Sequence, residues 1–246
     1  MTQKQTQFKM IQFQIVKKYK MNFMNKFRFL PICLFAFSTF ASSCGMAKTE
    51  KDTIENQGKT QKTNLNNKNQ KMEVITLGAG CFWCIESIFQ NLKGVEKVIS
   101  GYSNGQKPNP TYKEVCTGTT GHAEVAQITF DPSVVSLSEV LEVFFQTHDP
   151  TTLNRQGNDV GTQYRSGIYY HTEEQKKIAL EIIKALNESK AYDRPIVTEI
   201  AAVATFYPAE DYHQNYFNDN GDQPYCQYII RPKLDKFKKV FKDKLK

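Results

Sequence analysis

Apolar residues follow a regular spacing in this chain only from about Met72 onward. Val74–Leu77 form a short apolar run that stops at a glycine-rich turn, and a helical spacing of apolar residues begins at Phe82. Runs with strand spacing and runs with helix spacing then alternate along the rest of the chain. This alternation predicts one α+β domain of about 175 residues, built on a mixed sheet with flanking helices.

Several local patterns predict where the elements of this domain begin and end. Ser136 with Glu139 has the spacing of a helix capping box, and Thr172 with Gln175 has the same spacing. Two long polar loops, over residues 102–121 and 148–163, are of a length that usually serves function in a compact domain. The remaining predictions are a helix over Ala209–Phe217, a last strand over Tyr225–Ile230 and a basic amphipathic helix over Leu234–Leu245.

The residues before this domain predict a leader and a tether. Residues 1–20 are polar and are predicted to be an upstream extension, with the true start at Met21. Residues 21–43 combine Lys26 and Arg28, an apolar run from Phe29 to Phe40, and small residues, which is the form of a secretory signal peptide. Residues 44–71 carry no apolar period and are predicted to be a flexible tether, so that the folded domain spans residues 72–246.

Cys44 stands directly after the small residues that end the leader. This placement resembles the bacterial lipoprotein box, in which the cysteine is lipidated, although Ala41 occupies a position where that box usually has Leu. The sequence therefore predicts an exported protein on the periplasmic side, anchored to the membrane through a lipid on Cys44. If the leader does not function, the protein is expected in the cytoplasm.

The formal net charge of +7 is unevenly distributed. Residues 71–230 carry 12 basic and 20 acidic side chains, so the body of the domain is acidic. The positive excess lies in the first 70 and the last 16 residues. A basic nucleic-acid groove in the folded domain is therefore not expected, and no nucleic-acid partner is predicted.

The cysteines carry the predicted chemistry. Cys81 follows a glycine turn at the start of a predicted helix, where free N–H groups and the helix dipole favour a thiolate. It is therefore predicted to be a nucleophile with a lowered pKa. Cys84 shares its helical face, and the aromatic pair Phe82 and Trp83 forms an apolar wall suited to a methyl or thioether group.

Gly80-Cys81-Phe82-Trp83 with Glu86 resembles the active-site signature of the peptide methionine sulfoxide reductase A family. The likeness covers roughly residues 73–230. It continues through Gly101-Tyr102, Asn109-Pro110-Thr111-Tyr112, Gly121-His122-Ala123-Glu124, His148-Asp149-Pro150, Arg155-Gln156-Gly157-Asn158-Asp159, Gly161-Thr162-Gln163-Tyr164-Arg165-Ser166 and Ala209-Glu210-Asp211-Tyr212-His213-Gln214.

The resemblance implies an oxidoreductase for protein repair, a peptide-methionine (S)-S-oxide reductase with a disulfide as acceptor. Its substrates would be methionine S-sulfoxide in oxidised proteins and as the free amino acid. It also implies a two-layer sandwich with a ferredoxin-like core, a monomer, and no cofactor or metal. The electron donor would be a thiol reductant such as thioredoxin.

The resemblance also implies a role for each matching residue. Cys81 attacks the sulfoxide sulfur and becomes a sulfenic acid. Glu124 supplies a proton to the sulfoxide oxygen, which requires a raised pKa in a partly dry pocket. The remaining roles are hydroxyl donors to the same oxygen (Tyr112, Tyr164), a polar residue that orients a bound water or the substrate backbone (Asp159) and the S-methyl pocket (Phe82, Trp83).

A second thiol must resolve the sulfenic acid, and two are available. Cys226 matches the family's recycling cysteine and is the favoured candidate. Cys84 forms a Cys-x-x-Cys pair with Cys81, the spacing of disulfide oxidoreductases, and an outside thiol is a third route. Cys116 is predicted to be a small buried thiol without a role.

Three other functions are compatible with parts of the sequence. A thiol–disulfide oxidoreductase would use the Cys81-x-x-Cys84 pair and would not need Glu124 or the two tyrosines. A zinc module would need further close ligands, which Cys116 and Cys226 do not offer. A non-enzymatic lipoprotein would use none of these residues.

Overall fold

The computed structural model describes residues 71–246, and the predictions for Met21, residues 21–43 and Cys44 lie outside this range. Within it, the strands are β1 (Glu73–Ala79), β2 (Val95–Ser103), β3 (Ala123–Phe130), β4 (Arg155–Gln156), β5 (Asp159–Val160), β6 (Ser166–Tyr170), β7 (Glu199–Ala202) and β8 (Tyr207–Pro208). The α-helices are α1 (Phe82–Phe89), α2 (Tyr112–Val115), α3 (Leu137–Thr147), α4 (Glu173–Glu188), α5 (Tyr216–Asp219) and α6 (Arg231–Val240).

The main sheet has the order β7-β6-β1-β3-β2-β8. β1 is antiparallel to both β3 and β6, β2 is antiparallel to β3, and β7 runs parallel to β6, so the sheet is mixed as predicted. The succession β1-α1-β2-β3-α3-β6 with the order β6-β1-β3-β2 is the ferredoxin-like arrangement, which confirms that expectation. β1 and β3 are the central strands, and the ends that carry Ala79 and Glu124 position the site described below.

The main apolar core lies between this sheet and the longer helices. Leu77 and Ile128 contribute from the sheet, and Phe144 contributes from α3, all with no exposed surface. A second cluster surrounds Cys81 and joins α1 to the C-terminal segment. Burial of apolar surface at about 25 cal/mol per Å² favours both clusters, so apolar packing also stabilises the chain around Cys81.

The two predicted helix caps are confirmed. The Ser136 hydroxyl accepts from the backbone N–H of Glu139, and the Glu139 carboxylate accepts from the Ser136 N–H at 2.9 Å. The Thr172 hydroxyl accepts from the N–H of Gln175 at the start of α4. Local side chains satisfy these N–H groups, which is why the sequence alone located both helix starts.

The predicted last strand over Tyr225–Ile230 is wrong, because Cys226–Ile230 form a π-helical turn that continues into α6. The β-branched and aromatic residues there have strand propensity. Tertiary packing overrides it, because Cys226 and Ile230, four residues apart, are both fully buried while Tyr228 is 79% exposed. Pro232, in the first turn of α6, has no N–H to donate to a carbonyl in the preceding turn.

Two other helix predictions differ from the structure. Ala209–Phe217 is not one helix but a 3₁₀ turn at Asp211–His213 followed by α5, because Asn215 takes the left-handed conformation at φ 55° and interrupts it. The basic helix begins at Arg231 rather than Leu234 and ends at Val240.

The two predicted loops also contain short elements, namely α2, the β4–β5 hairpin and a 3₁₀ turn at Thr162–Tyr164. Within residues 71–246, no helix has the length and apolar character needed to cross a bilayer.

Candidate active site

Cys81 lies between the end of β1 and the first turn of α1, where it is the N-cap residue. The turn depends on Gly80, which has φ +85°. A Cβ on Gly80 would lie 2.6 Å from the side chain of Gln156, so a larger residue does not fit. The backbone thus turns sharply enough to place the Cys81 thiol, 6% exposed, beneath the aromatic residues of α1.

Glu124 enters the same pocket from the start of β3. Its Oε2 accepts a hydrogen bond of 3.1 Å from the backbone N–H of Phe82, the first residue of α1. The side chain is 1% exposed, and burial raises the pKa of the carboxyl to about 8. The raised pKa expected for Glu124 is therefore confirmed, and the carboxyl is mainly protonated at neutral pH.

The lowered pKa expected for Cys81 is wrong for the substrate-free pocket. Burial raises the pKa of the Cys81 thiol well above its ordinary value, and the hydrogen bond with Cys84 adds to this effect. The same hydrogen bond lowers the pKa of Cys84 to about 7. The helix N-terminus does not lower the pKa of Cys81 below that of Cys84. Its first N–H, that of Phe82, donates to Glu124, and the Cys81 side chain makes no capping hydrogen bond. Burial of Cys81 and the hydrogen bond between the two thiols therefore favour ionisation of Cys84 over ionisation of Cys81.

Tyr112 and Tyr164 reach the pocket from α2 and from the 3₁₀ turn after β5. Burial raises the pKa of both hydroxyls, and the nearby Glu124 carboxyl raises each further. Both side chains therefore remain protonated hydrogen-bond donors. Tyr112 also stacks on Phe82, with ring centroids 6.4 Å apart and planes at 19°. The structure thus brings the two predicted hydroxyl donors to the carboxyl of Glu124.

The aromatic wall is larger than the predicted pair. Trp83 lies face to face with Tyr216, with centroids 3.6 Å apart and planes at 5°. The indole N–H of Trp83 donates to Nδ1 of His213 at 3.2 Å. Tyr216 lies 133 positions from Trp83 along the chain, so no local pattern in the sequence pairs the two rings.

Glu86 fixes the segment that carries Tyr216. Its carboxylate is 2% exposed and accepts from the backbone N–H groups of Asn215 at 2.8 Å and Tyr216 at 3.2 Å. Burial nonetheless raises its pKa. The sequence signature included Glu86 without a role, and the structure gives it one: it holds the backbone whose side chain covers Trp83.

Asp159, on β5, is held by a residue that the sequence did not point to. The Tyr225 hydroxyl donates to Oδ2 of Asp159 at 2.8 Å and lies within hydrogen-bonding reach of the Cys81 thiol. The only available signal was that Tyr225 directly precedes Cys226. Tyr225 therefore connects the predicted polar pocket residue to the predicted nucleophile.

The remaining cysteines differ sharply in environment. Cys226 lies in the π-helical turn and has no exposed surface. Burial raises the pKa of its thiol, and the charge of the neighbouring Cys84 raises it further. Cys116 is exposed at the end of α2, so the prediction of a buried thiol is wrong. Helix α2 is short and ends at the surface, which places Cys116 beyond the packed cluster. Residues 71–246 contain no group of three or more His, Cys, Asp or Glu that could hold a metal ion.

A buried thiol next to a protonated carboxylic acid, with a second thiol in contact, defines a thiol-dependent oxidoreductase. Residues 73–245 match the family described as peptide methionine sulfoxide reductase. The chain is 57% identical over 171 residues to the peptide methionine sulfoxide reductase MsrA of Polynucleobacter asymbioticus, covering 70% of this chain and 90% of that protein. It is 58% identical over 175 residues to that of Saccharolobus solfataricus, covering 71% and 98%.

Solved structures are similar as well. Methionine sulfoxide reductase A of Corynebacterium diphtheriae has a TM-score of 0.60 at 39% identity, covering 64% of this chain and 78% of that chain. Reduced Mxr1 from Saccharomyces cerevisiae has a TM-score of 0.57 at 38% identity, covering 65% and 91%. The chain therefore belongs to the peptide methionine sulfoxide reductase family. This confirms the resemblance in the sequence and, with it, an oxidoreductase that reduces methionine sulfoxide.

Proposed function

We propose that this protein reduces methionine S-sulfoxide, in oxidised proteins and as the free amino acid, with Cys81 as the nucleophile. The observation that carries the proposal is the position of Cys81 between a carboxyl that is protonated at neutral pH and an aromatic wall. The S epimer follows from the similarity to MsrA enzymes, because one enzyme handles each sulfoxide epimer.

In the first step, Glu124 gives its proton to the sulfoxide oxygen, which makes the sulfur electrophilic. Cys81 attacks that sulfur, and Glu124 regains a proton from the Cys81 thiol. The attack joins the Cys81 sulfur to the substrate sulfur. The hydroxyl group then passes from the substrate sulfur to the Cys81 sulfur as the bond between the two sulfurs breaks, so methionine leaves and Cys81 becomes a sulfenic acid. Tyr112 and Tyr164 donate hydrogen bonds to the oxygen, Phe82 and Trp83 hold the S-methyl group, and Asp159 orients a water or the substrate backbone.

We propose Cys84 rather than Cys226 as the resolving thiol. The contact between Cys84 and Cys81 supports this assignment, as does a pKa of about 7, which maintains thiolate at neutral pH. Cys226 would have to leave a fully buried position in a turn continuous with α6. The Cys81–Cys84 disulfide is then reduced by an outside dithiol of the thioredoxin type.

A single set of measurements tests these roles. Purified protein is given each epimer of methionine sulfoxide together with a thioredoxin-type reductant, in parallel with Cys81→Ser, Cys84→Ser and Cys226→Ser. We expect turnover of the S epimer only, no methionine from Cys81→Ser, and one equivalent of methionine without further turnover from Cys84→Ser. Activity in Cys81→Ser would exclude the mechanism, and turnover in Cys84→Ser but not in Cys226→Ser would return the resolving role to Cys226.

We further propose that the protein is exported as a monomer and anchored to the membrane through a lipid on Cys44. The leader pattern over residues 21–43 supports this proposal. Mass spectrometry of the mature chain tests it: the expected N-terminus is a lipidated Cys44. A mature protein that still contains residues 21–43 contradicts export and would place the enzyme in the cytoplasm.

A further inference from the structure

Lys233 is the one residue of α6 with a hydrogen bond to a thiol of the site. Its Nζ donates to Sγ of Cys84 at 3.5 Å, across 149 positions of sequence. Among the side chains of residues 71–246, no carboxylate forms an ion pair with Lys233. A half-buried ammonium group without a competing carboxylate stabilises an adjacent thiolate.

The other groups that face Cys84 explain why this cation matters. Cys81 donates a hydrogen bond to it, whereas burial and the Asp159 charge disfavour its ionised form. Glu124, Tyr225 and Cys226 also interact electrostatically with Cys84, and a thiolate there raises the pKa of each. Among the described residues, Lys233 is the cation that favours the ionised form of Cys84, against burial and the charge of Asp159. Once Cys81 has become a sulfenic acid, its thiol proton is no longer available to Cys84.

We propose that Lys233 is a catalytic residue of the second half-reaction, in which it holds Cys84 as the attacking thiolate. This inference rests on the assignment of Cys84 as the resolving thiol. The Cys84 sulfur attacks the Cys81 sulfur, a disulfide forms, and the sulfur–oxygen bond of the sulfenic acid breaks. The hydroxide that leaves takes the proton of Glu124 and departs as water. Cys84 is oxidised, the sulfenic sulfur is reduced, and Glu124 regains its proton from solvent.

Lys236, which lines the same cavity as Lys233, provides a matched control. This cavity of about 320 Å³ is lined by Lys233, Lys236, His148, Asp149, Gln156 and Phe237, among others, so the Lys233 side chain lies between the cavity and the thiol pair. Lys236 lies on the same helix and lines the same cavity without a hydrogen bond to Cys84. Removal of Lys236 changes the charge of the cavity but not the charge at the thiol.

The test is a single-turnover reaction of reduced protein with stoichiometric methionine S-sulfoxide, from pH 6 to pH 9.5. Methionine release measures the first step, and a dimedone-type trap measures the sulfenic acid that remains unresolved. In Lys233→Met we expect methionine release at nearly the wild-type rate but disulfide formation roughly tenfold slower at pH 6. Loss of the lysine charge raises the pKa of the Cys84 thiol and so lowers the fraction of thiolate at pH 6. The thiolate that remains is a stronger nucleophile, which recovers part of the rate of disulfide formation.

The pH profile separates this role from packing. The deficit of Lys233→Met should disappear toward pH 9.5, Lys233→Arg should restore the rate at pH 6, and Lys236→Met should match wild type throughout. Equal rates of disulfide formation in Lys233→Met and wild type at pH 6 would overturn the proposal, as would a deficit independent of pH. Resolution at the wild-type rate in Cys84→Ser would overturn it together with the assignment of Cys84. Failure of the wild-type protein to release methionine would contradict the proposed reductase function itself.

Discussion

The backbone N–H of Phe82 donates to the Glu124 carboxyl at 3.1 Å, and this bond joins the first turn of α1 to the start of β3. It holds a buried acid beside Cys81, at the helix N-terminus where a thiolate was expected. The carboxyl accepts the free N–H of that terminus, and its own burial keeps it protonated. The site therefore combines a proton donor and a thiol pair rather than an isolated thiolate.

Glu124→Gln should separate activity from stability. The variant keeps an acceptor for the Phe82 N–H but has no acidic proton, so we expect kcat to fall by about 10²–10³-fold. Glu124 has a folded-state pKa of about 8, above its ordinary value. The stability that the Glu124 carboxyl contributes is therefore fully present below about pH 4.5, and it is lost as pH rises toward 8.

The variant lacks that decline, so above pH 8 it should be more stable than wild type by up to about 5 kcal/mol. Urea unfolding at pH 5 and pH 8.5 measures the difference, and activity measured in parallel gives the loss of rate. A variant whose stability changes with pH as wild type does would contradict the buried, protonated state of Glu124.

Gly80→Ala should damage the turn that places Cys81. The backbone at φ +85° disfavours a side chain, and the new Cβ would meet Gln156 at 2.6 Å. We expect a loss of about 1–3 kcal/mol in the free energy of unfolding, together with reduced activity. Gly157→Ala is a useful control, because it also has positive φ but its Cβ would meet nothing within 4 Å. If Gly157→Ala loses less free energy of unfolding than Gly80→Ala, the difference is due to the contact with Gln156.

Glu86→Ala should loosen the cover on Trp83. The change leaves two buried N–H groups without an acceptor, at a cost of about 1–3 kcal/mol for each group that stays dry. Because Trp83 is the only tryptophan of the chain, intrinsic fluorescence reports directly on its stacking with Tyr216. We expect a changed emission spectrum and a higher KM for the sulfoxide. Tyr216→Leu should give the same spectral change, and an unaltered spectrum in Glu86→Ala would contradict the positioning role.

Tyr225→Phe should weaken the link between Asp159 and the thiols. Loss of a hydrogen bond to a carboxylate costs about 1.5–3 kcal/mol, so we expect kcat/KM to fall roughly tenfold or more. Tyr228→Phe is the matched control, because Tyr228 lies in the same helical turn but is 79% exposed. Equal kinetics in the two variants would contradict a role for Tyr225.

Local patterns predicted much of the fold because local contacts stabilise the corresponding structures. Ser136 with Glu139 located the start of α3, since both cap hydrogen bonds lie within four residues. The C-terminal segment was predicted wrongly, since the same local reasoning assigned its β-branched residues to a strand. Its helical form buries both Cys226 and Ile230 in the cluster that surrounds Cys81, a tertiary contact that spacing along the chain does not reveal.

The sequence by itself determined the family and the alternation of strands and helices, and it singled out Cys81 and Glu124 as the predicted nucleophile and acid, because each of these rests on residue type and short spacing. Only the tertiary structure decided where charge resides among the thiols. Burial is a property of the packed domain, and the cation at Cys84 comes from Lys233, 149 positions away. A thiol pKa depends on desolvation and on charges within a few ångströms, and the fold alone brings those groups together.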